Sequence, residues 1–402
     1  MKWEKVAIKD ICIGIYDGPH ATPPLSDTGA IFLGISNFNN GRLDFSDIRY
    51  ISEVDLPKWT KRVIPQKNDI VFSYEATLNL YAIIPEGFRG CLGRRMALLR
   101  VDDTKADYKF LYYYFYSDAW RATVNENIVL GATVDRIPLI KFPDFPVELP
   151  PLETQHRIAD ILFAYDDLIE NNQRQIKLLE EAARRLYKEW FVDLRFPGHE
   201  NTKIVDGVPE GWNWCKLEDT IQLDPKVTLT KERMKQFIPM SALSTSSMVL
   251  DESQFTETTS NSGSKFQNGD TLLARITPCL ENGKTAYVSG IKSDEGAVGS
   301  TEYIVMRAKT INSYMVYLLA RTDDFRQSAI NSMSGSDGRQ RVKSDKLKML
   351  DYLHPTSELV EKFENVEEPI FEKIYRLSKQ MQQAKQARNL LLPKLMSGEV
   401  EV

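Results

Sequence analysis

Residues 158–190 read IADILFAYDDLIENNQRQIKLLEEAARRLYKEW, and residues 363–395 read FENVEEPIFEKIYRLSKQMQQAKQARNLLLPKL. In the first stretch Ile158, Leu162, Tyr165, Ile169, Asn172, Ile176, Leu179, Ala183, Leu186 and Trp190 fall at alternating steps of four and three. The same stepping in the second picks out Phe363, Glu367, Ile370, Ile374, Leu377, Met381, Ala384, Arg388, Leu391 and Leu395. Adding 205 to each number of the first set gives the second, with no slip. An apolar repeat of about 3.5 residues with charged residues between the seam positions is the pattern of a coiled coil. Its recurrence implies two quasi-equivalent halves, each a globular unit followed by one helix.

The helices are expected over roughly 153–191 and 357–392, and about 35 residues would extend roughly 50 Å. Asn172 falls opposite Leu377 in the repeat alignment, where a lone polar seam residue fixes register. Pro369 is expected to kink the second helix or begin a new segment, and Arg388 to bend outward. Upstream, Arg136-Ile137 meets Arg341-Val342 at the same offset, and Pro151 meets Pro355 at 204. QKNDIVF (66–72) matches FQNGDTLL (266–273), placing Asp69 on Asp270 at 201. Loop insertions account for the drift, since loops tolerate length changes that helices and sheets do not.

The 402 residues are enough for two or three domains, and 42% hydrophobic content is enough for real cores. The longest aromatic-rich stretch, FLYYYFY (110–116), is too short to span a bilayer. Charged residues Lys2, Glu4, Lys5, Lys9 and Asp10 argue against a secretory signal at the N-terminus. Cys12, Cys91, Cys215 and Cys279 have no CxxC spacing, so neither a zinc site nor a disulfide framework is expected, and a cytoplasmic location is.

Outside the heptads the pattern is mixed α/β (α+β) with short strands. Asn40-Gly41 and Asn282-Gly283 mark two expected hairpins. A helical segment follows each, over roughly 108–125 and 313–331. Residues 196–212 carry Pro197, Gly198, Gly207, Pro209 and Gly211 and read as the connector between halves.

Catalysis has no visible seat. Gly283-Lys284-Thr285 copies the tail of a phosphate-binding loop, but Pro278 stands where its first glycine belongs. The stretch is read as a turn with Lys284 beside it, available to a phosphate. TPPL (22–25) is no match for the Asn/Asp-Pro-Pro-aromatic motif of amino-methyltransferases, and no Gly-rich loop suited to S-adenosylmethionine is present. His20, His156, His199 and His354 have neither ligand spacing nor an acid-base partner, so no catalytic and no metal site is assigned.

Three stretches carry a resemblance: VELPPLETQHRIADILFAYDDLIENNQRQIKLLEEAARRLYKEWFVD (147–193), ARITPCLENGK (274–284) and ARNLLLPKLMSGEVEV (387–402). Together they resemble the DNA-specificity subunit of type I restriction-modification enzymes, over essentially the whole chain. The resemblance implies two globular target recognition domains, 1–150 and 212–354. It implies two long antiparallel coiled-coil helices, 151–192 and 355–402 with the C-terminal tail, a linker at 193–211 and an internal pseudo-twofold repeat. A non-catalytic subunit would then read a bipartite double-stranded DNA sequence and scaffold modification (methyltransferase) subunits and a restriction (motor/nuclease) subunit. S-adenosylmethionine, ATP and Mg would belong to those partners. The runner-up reading is a coiled-coil scaffold or tethering protein without sequence-specific DNA binding.

A formal net charge of −5 and a pI near 5.7 do not advertise a DNA binder, whose usual footprint is a basic patch. Basic residues do cluster, at Arg89, Arg94 and Arg95 and again at Arg339, Arg341, Lys343, Lys346 and Lys348. Base reading needs side chains that pair with base edges: Arg with guanine, Asn or Gln with adenine, Ser or Thr with either. The expected DNA-binding residues of the first half are Ser36, Asn37, Ser73, Tyr74, Arg94, Arg95, Thr133 and Arg136. Those of the second half are Ser241, Arg275, Thr277, Lys284, Ser336, Arg339 and Arg341. Arg136 and Arg341 carry extra weight because they are repeat-equivalent and follow the Gly/Ser/Thr-rich loops LGAT and SGSDG.

Overall fold

The computed structural model describes residues 3–131, 134–335 and 340–402. By contacts the chain divides into two units, Met1–Leu168 with Gln383–Val402, and Ile169–Gln382.

In the first unit an antiparallel sheet runs in the spatial order Cys12–Asp17, Met96–Val101, Ile70–Ser73, Tyr81–Ile83. Ile70–Ser73 is buried at every position, the mark of a strand covered on both faces. On one face Phe72 and Tyr81 pack with Phe110, Phe115 and Trp120. On the other, Val71, Ala82 and Leu98 pack with Leu33 and Leu92 of a smaller sheet. That sheet has the order Tyr50–Ile51, Ala30–Leu33, Gly90–Leu92, its last two strands parallel.

The second unit repeats this order with Ile221–Leu223, Tyr303–Ala308, Thr271–Ala274 and Thr285–Tyr287. Its smaller sheet again holds a parallel pair, Lys235–Ile238 with Ala297–Gly299. The matched QKND and QNGD stretches have one job in both units. Asp69 accepts from the Gln66 amide at 2.7 Å and grips Arg100 at 2.8 and 2.9 Å. Asp270 accepts from the Gln267 amide at 2.8 Å and grips Arg307 at 2.6 Å. Both aspartates are buried, so each carboxylate is hydrogen-bonded and paired where solvent cannot compensate it.

Local differences from the sequence reading have local causes. Each expected helical segment is two helices, Tyr108–Tyr114 with Asp118–Asn127 and Ser313–Ala320 with Asp323–Asn331. The breaks fall at Ser117 and Thr322, whose hydroxyls accept from the amides of Trp120 and Phe325 and so start the second helix. Asn40-Gly41 is the expected tight turn, both residues at positive φ, between Phe38–Asn39 and Arg42–Leu43. Asn282-Gly283 instead ends a longer connection. After Ala274 the Thr277 amide bonds to the Gln340 carbonyl, and the chain turns through bonds from the Leu280, Asn282 and Gly283 amides to the Ile276, Pro278 and Leu280 carbonyls.

The heptad stretches form helices Leu152–Tyr187, extended by a π turn at Lys188–Val192, and Ser357–Met396. In the second unit their segments pack antiparallel. Tyr187 lies against Phe363, while Asn172 Nδ2 donates to Gln380 Oε1 at 3.0 Å and to the Leu377 carbonyl at 3.5 Å. The second helix continues through Pro369 without interruption, held on both sides of the proline by the buried Phe363, Phe371 and Ile374. In the first unit Arg388 turns inward and pairs with Asp166, which also accepts from the Tyr113 hydroxyl at 2.5 Å. An outward bend would strand that buried aspartate. Glu367 is the odd seam residue of the second unit: fully buried, with neither carboxylate oxygen hydrogen-bonded.

Candidate nucleic-acid interface

Parallel strands end on the same side of a sheet, which gathers the loops that follow them. In the first unit Ala30–Leu33 and Gly90–Leu92 send the turn holding Ser36 and the loop holding Arg94 and Arg95 out at one end. In the second unit Lys235–Ile238 and Ala297–Gly299 do the same for the turn holding Ser241 and for the Ser300–Glu302 loop.

The backbone around the paired arginines is the same in both units. Arg136 exchanges hydrogen bonds with Val129 at 3.0 and 3.1 Å, and Ile137 donates to the Tyr74 carbonyl at 2.7 Å. Arg341 exchanges them with Ser334 at 3.0 and 3.1 Å, and Val342 donates to the Arg275 carbonyl at 2.9 Å. Isolated bridges Glu75 to Arg136 and Ile276 to Arg341 complete the match.

Their side chains differ. Arg136 is exposed, with no ion pair to a described residue. Arg341 is forked onto Glu302 at 2.7 to 3.0 Å, and its guanidinium holds the Glu302 carboxyl below the usual range. Arg275 donates to the Val342 carbonyl at 2.8 and 3.2 Å. Tyr74 occupies the corresponding place in the first unit. Burial, then the charge of Asp17, pushes its phenol well up. Asp17 in turn pairs with His20 at 2.9 Å and Arg62 at 3.1 Å.

The remaining expected residues divide by exposure. Ser36, Arg94 and Ser241 are exposed. Asn37 is buried: its carbonyl oxygen accepts from Gly34, and its amide donates to the carbonyls of Asp44 and Asp47 at 3.0 and 3.1 Å. Ser73 is buried and donates to the Thr77 carbonyl. Thr277 is half-buried against Gln340, and Lys284 donates to the Met240 carbonyl at 2.9 Å. Thr133, Ser336 and Arg339 lie outside the described residues. Sequence reasoning that sought hydrogen-bond donors for bases missed the carboxylates among them, Glu75 and Glu302. A glutamate beside the loops of two repeat-equivalent arginines was the available signal.

Comparison with known proteins joins this geometry to a family. The sequence model of the type I restriction modification DNA specificity domain matches residues 1–181. Over 370 residues, 88% of this chain and 82% of the relative, the chain is 25% identical to the type I restriction enzyme MjaIX specificity subunit of Methanocaldococcus jannaschii. Over residues 1–181 the chain matches that domain, and across most of its length it is similar to type I restriction enzyme specificity subunits. A shorter match, 34% identical over 140 residues, 34% of this chain and 24% of the relative, is to the EcoAI specificity subunit of Escherichia coli. The fold of the type I restriction-modification S subunit from M. genitalium superimposes with a TM-score of 0.62 at 16% identity, covering 98% of this chain and 96% of that one. Among its described residues no helix is long and apolar enough to cross a membrane.

Proposed function

We propose that this chain is a type I specificity subunit, that each unit reads one half of a bipartite double-stranded DNA sequence, and that the two long helices hold the halves at a fixed spacing while partner subunits dock. The observation that supports this reading is the repeated loop end, with Arg136 and Arg341 on the same backbone frame and different surroundings. The same frame would approach DNA in the same way, and different side chains would read different bases. Exposed Ser36, Arg94, Arg136 and Ser241 are the first candidates for direct contact. Buried Asn37 and Ser73 would act by shaping the loops they hold. The modification subunits would bring S-adenosylmethionine, and the restriction subunit ATP and Mg.

Selection from a random DNA library, by the protein alone and with its modification subunit, tests this reading. The expected product is two short conserved runs separated by an unspecified spacer of constant length. Failure to enrich any sequence in either form would favour a scaffold without DNA specificity. The isolated chain should neither methylate nor cut DNA, and methyl transfer by rigorously purified protein would overturn that assignment.

A further inference from the structure

Arg95 and Glu302 occupy the same place in the repeat. Met96 faces Ser73 as Tyr303 faces Ala274, which puts Arg95 and Glu302 each one residue before the start of the equivalent strand. The backbone agrees, because the Tyr74 amide donates to the Arg95 carbonyl at 3.1 Å and the Arg275 amide donates to the Glu302 carbonyl at 2.9 Å. One site therefore carries a cation in the first unit and an anion in the second: Glu302 pairs with Arg341, while Arg95 lies against Glu75, whose backbone bridges Arg136.

The two side chains are also held differently. Arg95 sits at φ +72°, a backbone conformation that a side chain larger than glycine's rarely adopts. Its Nε is 3.2 Å from a Glu75 oxygen, yet it is buried without an aligned hydrogen bond. That nitrogen is closed to solvent, but the side chain is 34% exposed and its outer nitrogens make no hydrogen bond to a described residue, so a strained residue keeps free donors, a combination that concentrates at functional positions. Glu302 is fixed by the Arg341 fork, and each of its oxygens retains further acceptor capacity.

We propose that this position sets which base each unit reads: Arg95 reads a guanine in one half-site, and Glu302, oriented by Arg341, reads a cytosine in the other. A guanidinium offers only donors, and guanine alone presents two acceptors, N7 and O6, on its major-groove edge. A carboxylate offers only acceptors and takes the N4 amine of cytosine. The inference rests on the bipartite reading above and adds the residues and bases that would carry part of it.

The test is library selection by the complex of this chain with its modification subunit, using wild type, Arg95→Gly, Arg95→Lys and Glu302→Gln. Glycine relaxes the positive φ, so Arg95→Gly should melt no lower than wild type. It should lose roughly tenfold to a hundredfold of the preference for guanine at one position of one half-site, with the other half unchanged. Arg95→Lys keeps the charge but not the planar fork, and should lose part of the same preference while keeping its affinity for unrelated DNA. Glu302→Gln should relax a cytosine in the other half-site only. An unchanged motif in the Arg95 variants would overturn the proposal. So would uniform weakening on all sequences with a flatter salt dependence, which marks a phosphate contact. If the wild-type complex enriches no sequence, the bipartite reading falls and this inference with it. Enrichment of a two-part motif that the variants leave intact would sink the inference alone.

Discussion

Replacing Glu367 with leucine should stabilise the protein, most strongly above neutral pH. Its carboxylate lies fully buried in the seam with neither oxygen hydrogen-bonded, and burial alone pushes the carboxyl from 4.5 up to about 7. A shift of that size corresponds to about 3 kcal/mol of instability when the group is ionised in the folded state. The sign follows from linkage. The folded protein holds this proton more tightly than the unfolded chain, so the associated stability is complete below about pH 4.5 and is lost as pH rises through 7. The repeat supplies the replacement, because Leu162 stands 205 residues earlier at the same heptad position and is fully buried. Glu367→Leu should gain about 3 kcal/mol at pH 8 but only about 1.5 kcal/mol at pH 5.5, where much of the wild-type penalty is already relieved. Unfolding by heat and by denaturant at the two pH values reads both figures, and Tm at pH 8 should rise by on the order of 5–10 °C. Glu367→Gln, which removes the charge but keeps an unpaired amide, should gain less. A destabilised leucine variant, or a gain equal at both pH values, would refute the claim that an uncompensated buried carboxylate sits there.

The opposite experiment concerns the first unit, where Tyr113, Asp166 and Arg388 form a polar cluster while the repeat places Leu318, Phe371 and Ala183 at the same positions. Arg388→Ala should cost about 2 to 3 kcal/mol by stranding Asp166, and the triple change to Leu, Phe and Ala should recover most of it, as measured by denaturant midpoints. Asn172→Ala should lower stability by about 1 kcal/mol through loss of its bonds to Gln380 and the Leu377 carbonyl, an effect a double-mutant cycle with Gln380 would isolate. Arg136→Ala should leave Tm unchanged and weaken specific DNA binding, whereas Arg341→Ala should lower Tm because Glu302 loses the partner that holds its carboxyl down. Exchange of residues 1–145 for those of a related specificity subunit should change one half of the selected DNA sequence, and loss of both halves with the fold intact would count against modular reading.

The heptads, their 205-residue recurrence and the matched Asp69 and Asp270 stretches were legible in the sequence because they depend on local periodicity and on spacing along the chain. The equivalence of Arg136 and Arg341 was legible for the same reason, and the backbone bridges match. Periodicity also placed Asn172 opposite Leu377, where its amide meets that residue's carbonyl. What the sequence could not supply was the environment of each polar side chain. Asn37 and Ser73 read as base contacts from their residue types, yet long-range packing buries them. Arg388 read as bending outward from the seam, whereas the fold brings Asp166, 222 residues away, against it. The breaks at Ser117 and Thr322 were hidden because a capping hydroxyl and an ordinary helical one are the same residue until the backbone turns. The exchange of Arg95 for Glu302 lies at an offset of 207 rather than 205, so only the strand pairing aligns them. Repeat architecture is written in local pattern, whereas charge compensation is decided by which distant residues the sheets bring together, and that is settled only in three dimensions.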